Sequence, residues 1–105
     1  MKGIFLHFVV GGLSIALGAC ASGRAHDNFK QSVQWDIGKS ASDPNVLINR
    51  YPEDRGASKP LPNGNTEQEY RFRRGCLVYF EIDSNSKNII GWRYEGSEDA
   101  CVLVP

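Results

Sequence analysis

Hydrophobic and polar positions alternate most regularly between residues 67 and 95. In "EQEYRFR" the large side chains Tyr70 and Phe72 fall on one side, in "CLVYFEID" Cys76, Val78, Phe80 and Ile82 do, and in "IIGWRYE" Ile90, Trp92 and Tyr94 do. A period of two is that of a half-buried β-strand. Joining the first two runs through Arg73, Arg74 and Gly75 sets Phe72 opposite Cys76 and Tyr70 opposite Val78. Pairing Ile82 with Ile90 across "DSNSKN" sets Phe80 opposite Trp92 and Val78 opposite Tyr94. Both hairpins then keep these side chains together on one face, where a slip of one residue would turn them all to water. The pattern predicts a three-stranded antiparallel meander. Its other face carries Glu69, Arg71, Tyr79, Glu81, Arg93 and Glu95, whose cross-strand charge pairs contribute about a few tenths of a kcal/mol each.

Upstream the period changes. Leu47, Ile48 and Tyr51 follow spacings of three and four, and Pro52 stops the run. Ser40 with Asp43 three later has the form of a capping box, and Asp43 before Pro44 is an alternative cap. A short helix is expected over residues 41–51, covering the apolar face of the sheet. The fold class expected is α+β, with one short helix or two on a three-stranded meander. Residues 52–66, "PEDRGASKPLPNGNT", read as a Pro-rich surface loop ending in a turn. Residues 26–38 stay open: Val33, Trp35 and Ile37 alternate as in a strand, whereas a helix from about Asp27 would align Phe29 with Val33.

Composition narrows the function classes. A chain of 105 residues, 41% hydrophobic and 23% charged, has room for one small core. Its formal net charge is zero, so apart from the local "RFRR" at residues 71–74 nothing draws it to nucleic acid, and no nucleic-acid partner is expected. The tripeptide "GKS" at residues 38–40 is not a phosphate-binding loop, because Val33 stands where the first glycine would be needed. Catalysis by a triad needs a histidine beside a nucleophile. The histidines are His7, in the leader, and His26, expected to be solvated near a flexible terminus. The acidic residues read as strand-surface charges, so no enzyme, catalytic residue, metal or cofactor is expected.

Residues 1–19 have the three parts of an export leader: Lys2, an apolar run from Ile4 to Leu17, and small residues before Cys20. A permanent transmembrane helix is the weaker reading, since Gly11, Gly12, Gly18, His7 and Ser14 interrupt the run and no basic cluster follows. The segment "LGAC", Leu17 to Cys20, resembles the lipobox of bacterial lipoproteins. That resemblance implies cleavage between Ala19 and Cys20, with a diacylglycerol on the thiol and an acyl chain on the new amine. One acyl chain holds a protein only marginally, whereas this set suffices for stable attachment. Ala21, in place of the aspartate that marks inner-membrane retention in enteric-type lipoproteins, implies the outer membrane, with the domain facing the periplasm. Residues 20–32 are then the acylated end and a polar tether, and 33–105 the folded domain.

With lipid on Cys20, Cys76 and Cys101 remain, and the oxidising periplasm permits them to pair. The strand register supports the same bond, because Cys76 stands opposite Gly96 and a turn through "GSEDAC" returns Cys101 to it. A metal site is disfavoured, since the two cysteines are 25 apart and neither lies in a CxxC.

The order of lipobox, tether, "IGKS", helix, Pro-rich loop with "LPNGNTEQEYRFR", then "CLVYFEID" and "NIIGWRYEG" resembles the small outer-membrane lipoproteins of the BamE/OmlA (SmpA) type over residues 36–95. The resemblance implies helices on a three-stranded antiparallel sheet and a non-enzymatic, protein-binding or structural role at the outer membrane. Two features depart from it: "RYPEDRG" stands where the group closes its helix with glycine and proline, and the paired cysteines lie outside its usual pattern. The ending is still more similar to small disulfide-bearing proteobacterial lipoproteins. A second expectation is an inhibitor of a periplasmic hydrolase such as lysozyme. For an unknown envelope protein as partner, the candidate surface is either the sheet face at Arg71, Tyr79 and Arg93, aromatic and Arg side chains being the common anchors of interfaces, or the Pro-rich loop over residues 52–66.

Overall fold

The computed structural model describes residues 24–103. The leader over 1–19, Cys20 and the first part of the tether lie outside the described residues. Helix α1 spans residues 24–34 and is followed by turns to residue 46, a single-turn helix α2 at Leu47–Arg50 and a 3-10 turn at Pro52–Asp54. Four strands complete the domain: β1 Arg55–Pro60, β2 Thr66–Arg73, β3 Cys76–Ile82 and β4 Ile89–Glu95. They form one antiparallel sheet in the order β1-β2-β3-β4. The architecture is α+β, and the sheet has one strand more than the three expected. β1 falls in the segment expected to be a loop. All six of its residues are exposed, so it shows no alternation, and it is held as an edge by backbone pairing, where Pro60 is tolerated.

The register expected for the three long strands holds at its centre: Tyr70 faces Val78, Val78 faces Tyr94 and Phe80 faces Trp92. Both ends are corrected by bulges. Arg73, not Phe72, pairs with Cys76, with an irregularity between Arg71 and Arg73. The turn itself is Arg74 and Gly75, the latter at φ +81°, in the left-handed region that glycine enters without strain. Ile82 pairs with Ile89 instead of Ile90. The extra residue in β4 reverses the alternation, so Ile89 is fully buried and Ile90 is 49% exposed.

The apolar face is covered by α1 together with Val46, Leu47 and Ile48 at α2, and not by one helix over 41–51. Residues 24–32 are therefore not a flexible tether but the start of the packed domain. Phe29 is fully buried and sets its ring edge-on to Phe72, Tyr94 and Trp92, with centroids 4.8, 5.5 and 5.9 Å away. Val33, one turn on, is also fully buried, which resolves residues 26–34 as helix. Val46, Leu47 and Ile48 cover the rest. The expected helix shrinks to α2 because its caps are used otherwise. Ser40 bridges to Asn88, and the Asp43 carboxylate accepts the Asn45 N–H at 2.8 Å in a local turn that competes with helix. The Leu47 N–H is instead capped by Asp36 Oδ2 at 2.9 Å, from eleven residues away.

Cys76 and Cys101 form a disulfide, with Cα atoms 5.2 Å apart. A turn from Ser97 brings Cys101 back, its N–H donating to the Ser97 carbonyl at 3.0 Å. Gly96 is what permits the approach: a Cβ there would stand 2.3 Å from the Gly75 carbonyl oxygen and 3.2 Å from Cys101 Sγ. No helix among the described residues is long and apolar enough to cross a membrane.

Candidate functional site

The outer face of the sheet holds all three residues singled out for partner binding. Antiparallel pairing sets Tyr79 of β3 beside Arg93 of β4, and the guanidinium lies 3.9 Å from the centre of the Tyr79 ring. Arg93 also makes a two-pronged contact with Glu67, Nε to Oε2 at 3.1 Å and Nη2 to Oε1 at 3.0 Å, and reaches Glu95 Oε1 at 3.0 Å. Lys59 Nζ stands 3.7 Å from the same Glu67. The Arg93 hydrogen bonds hold the Glu67 carboxyl below its usual range, and the bonds to Glu67 and Glu95 push Arg93 upward. Desolvation and the Glu95 and Glu69 carboxylates raise the Tyr79 hydroxyl.

These groups satisfy one another, so the cluster is a preformed surface and not a set of free charges. Arg71 lies apart. It faces Leu77 two pairs along from Glu69 and Tyr79 and borders a separate depression with Arg73, Arg74 and Glu95. Glu67 and Glu81 stand opposite each other across β2 and β3. Each is held ionised by its own donors, Glu81 by Asn65 at 2.8 Å and Asn63 at 3.1 Å. Neither is therefore poised as a general acid.

Three features escape the sequence reading. His26, expected to be solvated, is 6% exposed: Nδ1 donates to the Cys101 carbonyl at 2.7 Å, and Nε2 lies 3.2 Å from the Tyr94 hydroxyl. Asp36 is fully buried, with Oδ1 lacking a partner, and burial raises its carboxyl. The third is a platform beside α1. Buried positions recur at 26, 29 and 33 along α1 and at 36 just past its end, and Trp35, in the turn that follows the helix, projects outward and is 71% exposed. It shares an open depression of about 660 Å³ with Lys30, Gln31, Gln34, Lys39 and Trp92. Lys39 Nζ sits 4.2 Å from the Trp35 ring centre and donates to the Trp35 carbonyl, while Trp92 Nε1 donates to Gln34 Oε1 at 3.0 Å. An isolated large aromatic that breaks the inward spacing of a helix is the signal in the sequence, visible only once residues 24–34 are known to be helical.

No protein-family model, curated protein or solved structure matches this chain.

Proposed function

We propose that this chain is a non-enzymatic envelope lipoprotein, anchored to the outer membrane through lipid on Cys20, whose periplasmic domain acts as a structural or protein-binding accessory. The observation that supports it most is the use of the three cysteines. Cys76 and Cys101 are joined, which leaves Cys20, directly after "LGA", as the thiol available for acylation. Residue 24, only four positions further on, already belongs to helix α1, so on this reading the anchor holds the fold close to the bilayer. A disulfide that ties Cys101 near the C-terminus to the start of β3 across a separation of 25 residues suits a small domain in an oxidising compartment. The resemblance to the BamE/OmlA type favours the same placement.

Mass spectrometry of the N-terminal peptide from protein isolated from envelopes tests the reading. A Cys20 carrying a thioether-linked diacylglycerol and an amide-linked acyl chain is expected, and Cys20→Ala should leave the membrane fraction. An unmodified thiol at Cys20, or an uncut leader on the stable protein, overturns it.

A further inference from the structure

We propose that the Trp35 platform binds a carboxylate-bearing glycan, the chemistry of cell-wall peptidoglycan. It is a shallow surface built from two indoles, two carboxamides and two ammonium groups, and no carboxylate lines it among the described residues. A pyranose ring presents flat C–H faces that pack on aromatic rings, as Trp35 offers at 71% exposure. Hydroxyl and acetamido groups on the ring edge take hydrogen bonds from planar amides such as Gln31 and Gln34, and the lactyl and stem-peptide carboxylates take charge from Lys30 and Lys39. Lys30 also faces Asp27 at 3.5 Å, an exposed pair that water screens. Trp92 is fixed from below by its stacking against Tyr94 and its bond to Gln34, so the platform is preformed.

Placement separates a glycan from the bilayer itself. The start of α1 lies at the end of the domain where Leu103 donates to the Ala25 carbonyl at 3.0 Å and His26 meets Cys101. The other end lies where Gly38 donates to the Ile89 carbonyl at 2.7 Å. A helix over residues 24–34 rises about 16 Å, which carries Trp35 away from the end nearest Cys20. This directional step and the choice of the cell wall as the source of the glycan rest on the lipoprotein reading. The chemistry of the platform does not.

The test is co-sedimentation of the detergent-solubilised protein with purified insoluble peptidoglycan, with soluble disaccharide-peptide fragments as competitors. Saturable binding is expected, weakened about tenfold or more by Trp35→Ala, less by Lys39→Gln, and largely kept by Trp35→Phe. The exposed position of Trp35 leaves the melting temperature of these variants near that of the parent, which checks their folding. Binding that does not saturate, or that Trp35→Ala leaves unchanged, overturns the proposal. So does an indole emission shift that arises with anionic phospholipid vesicles and not with the soluble fragments. Repeating the sedimentation on Cys20→Ala protein separates the two readings: retained binding upholds the glycan site even where mass spectrometry finds no lipid on the parent.

Discussion

His26 Nδ1 donates to the carbonyl oxygen of Cys101 across 2.7 Å, so the first turns of α1 are fastened to the same residue that fastens the tail to β3. The imidazole also stacks on Phe29, with centroids 5.8 Å apart, and meets the Tyr94 hydroxyl. One buried polar side chain thereby links helix, sheet and tail.

Truncating it leaves a buried carbonyl and a hydroxyl without partners. His26→Ala should therefore cost about 1–3 kcal/mol, read as a lower urea midpoint at constant slope. Tyr94→Phe should cost less, and the double variant less than the sum, because the two share one contact. Additive losses would show that the His26–Tyr94 contact contributes nothing.

The disulfide closes a loop with a separation of 25 residues, which the chain-entropy relation converts to about 3–4 kcal/mol. Replacing both cysteines by serine should lower the melting temperature by roughly 15 °C or more in a domain of this size. Gly96→Ala should act in the same direction even with the bond intact. Its φ of +137° and the Gly75 carbonyl 2.3 Å from the new Cβ both oppose the substitution. A Gly96→Ala protein that melts with the parent would remove the close approach from the account.

At the start of β4 the sequence pattern and the structure assign opposite costs to two neighbours. Alternation back from Trp92 places Ile90 inside, whereas the bulge buries Ile89 completely and leaves Ile90 49% exposed. Ile89→Ala is expected to cost about 2–5 kcal/mol and Ile90→Ala within about 0.5 kcal/mol. Thermal unfolding of the pair decides between the two registers, and the reverse order would restore the unbulged strand.

That pair also marks where the fold is legible in the sequence. Tyr70, Val78, Phe80, Trp92 and Tyr94 can be read because period-two alternation and turn residues agree along β2, β3 and β4. A bulge adds one residue without any compositional mark, so the ends of the register go astray. Helix α1 is obscured because its buried positions are His26, Phe29 and Val33, with Asp36 just past its end: two of the four are polar, and their partners, the Cys101 carbonyl for His26 and the Leu47 N–H for Asp36, come only from tertiary contacts. β1 is hidden since a fully exposed edge strand needs no hydrophobic residues at all. The outer-face cluster around Arg93 is half legible: the register brings Tyr79 and Arg93 together, but the fork to Glu67 spans a diagonal across two strand pairs.

Two buried carboxylates should bend the acid stability profile in opposite directions. Glu67 is held below its usual value of 4.5 by the Arg93 fork. Its contribution is present above about pH 4.5 and is lost as pH falls through the lowered folded-state value. With Arg93 half exposed, that contribution is about 1 kcal/mol or less. Asp36 is raised above 3.8 by burial, despite the Leu47 N–H and the charges of Arg50 and Lys39. The folded state then binds its proton before the unfolded state does, so ionised Asp36 is a penalty at neutral pH that is relieved as pH falls through the raised value. Urea denaturation of the parent, Asp36→Asn and Glu67→Gln from about pH 7 to about pH 3 separates the two. Asp36→Asn keeps an oxygen for the Leu47 N–H, so its advantage over the parent should be greatest near neutrality and shrink on acidification. Glu67→Gln should be less stable than the parent near neutrality, with a deficit that closes as pH falls. An Asp36→Asn difference that stays constant across the range would mean that Asp36 titrates alike in both states, and the unpartnered Oδ1 would then have to be reached by solvent.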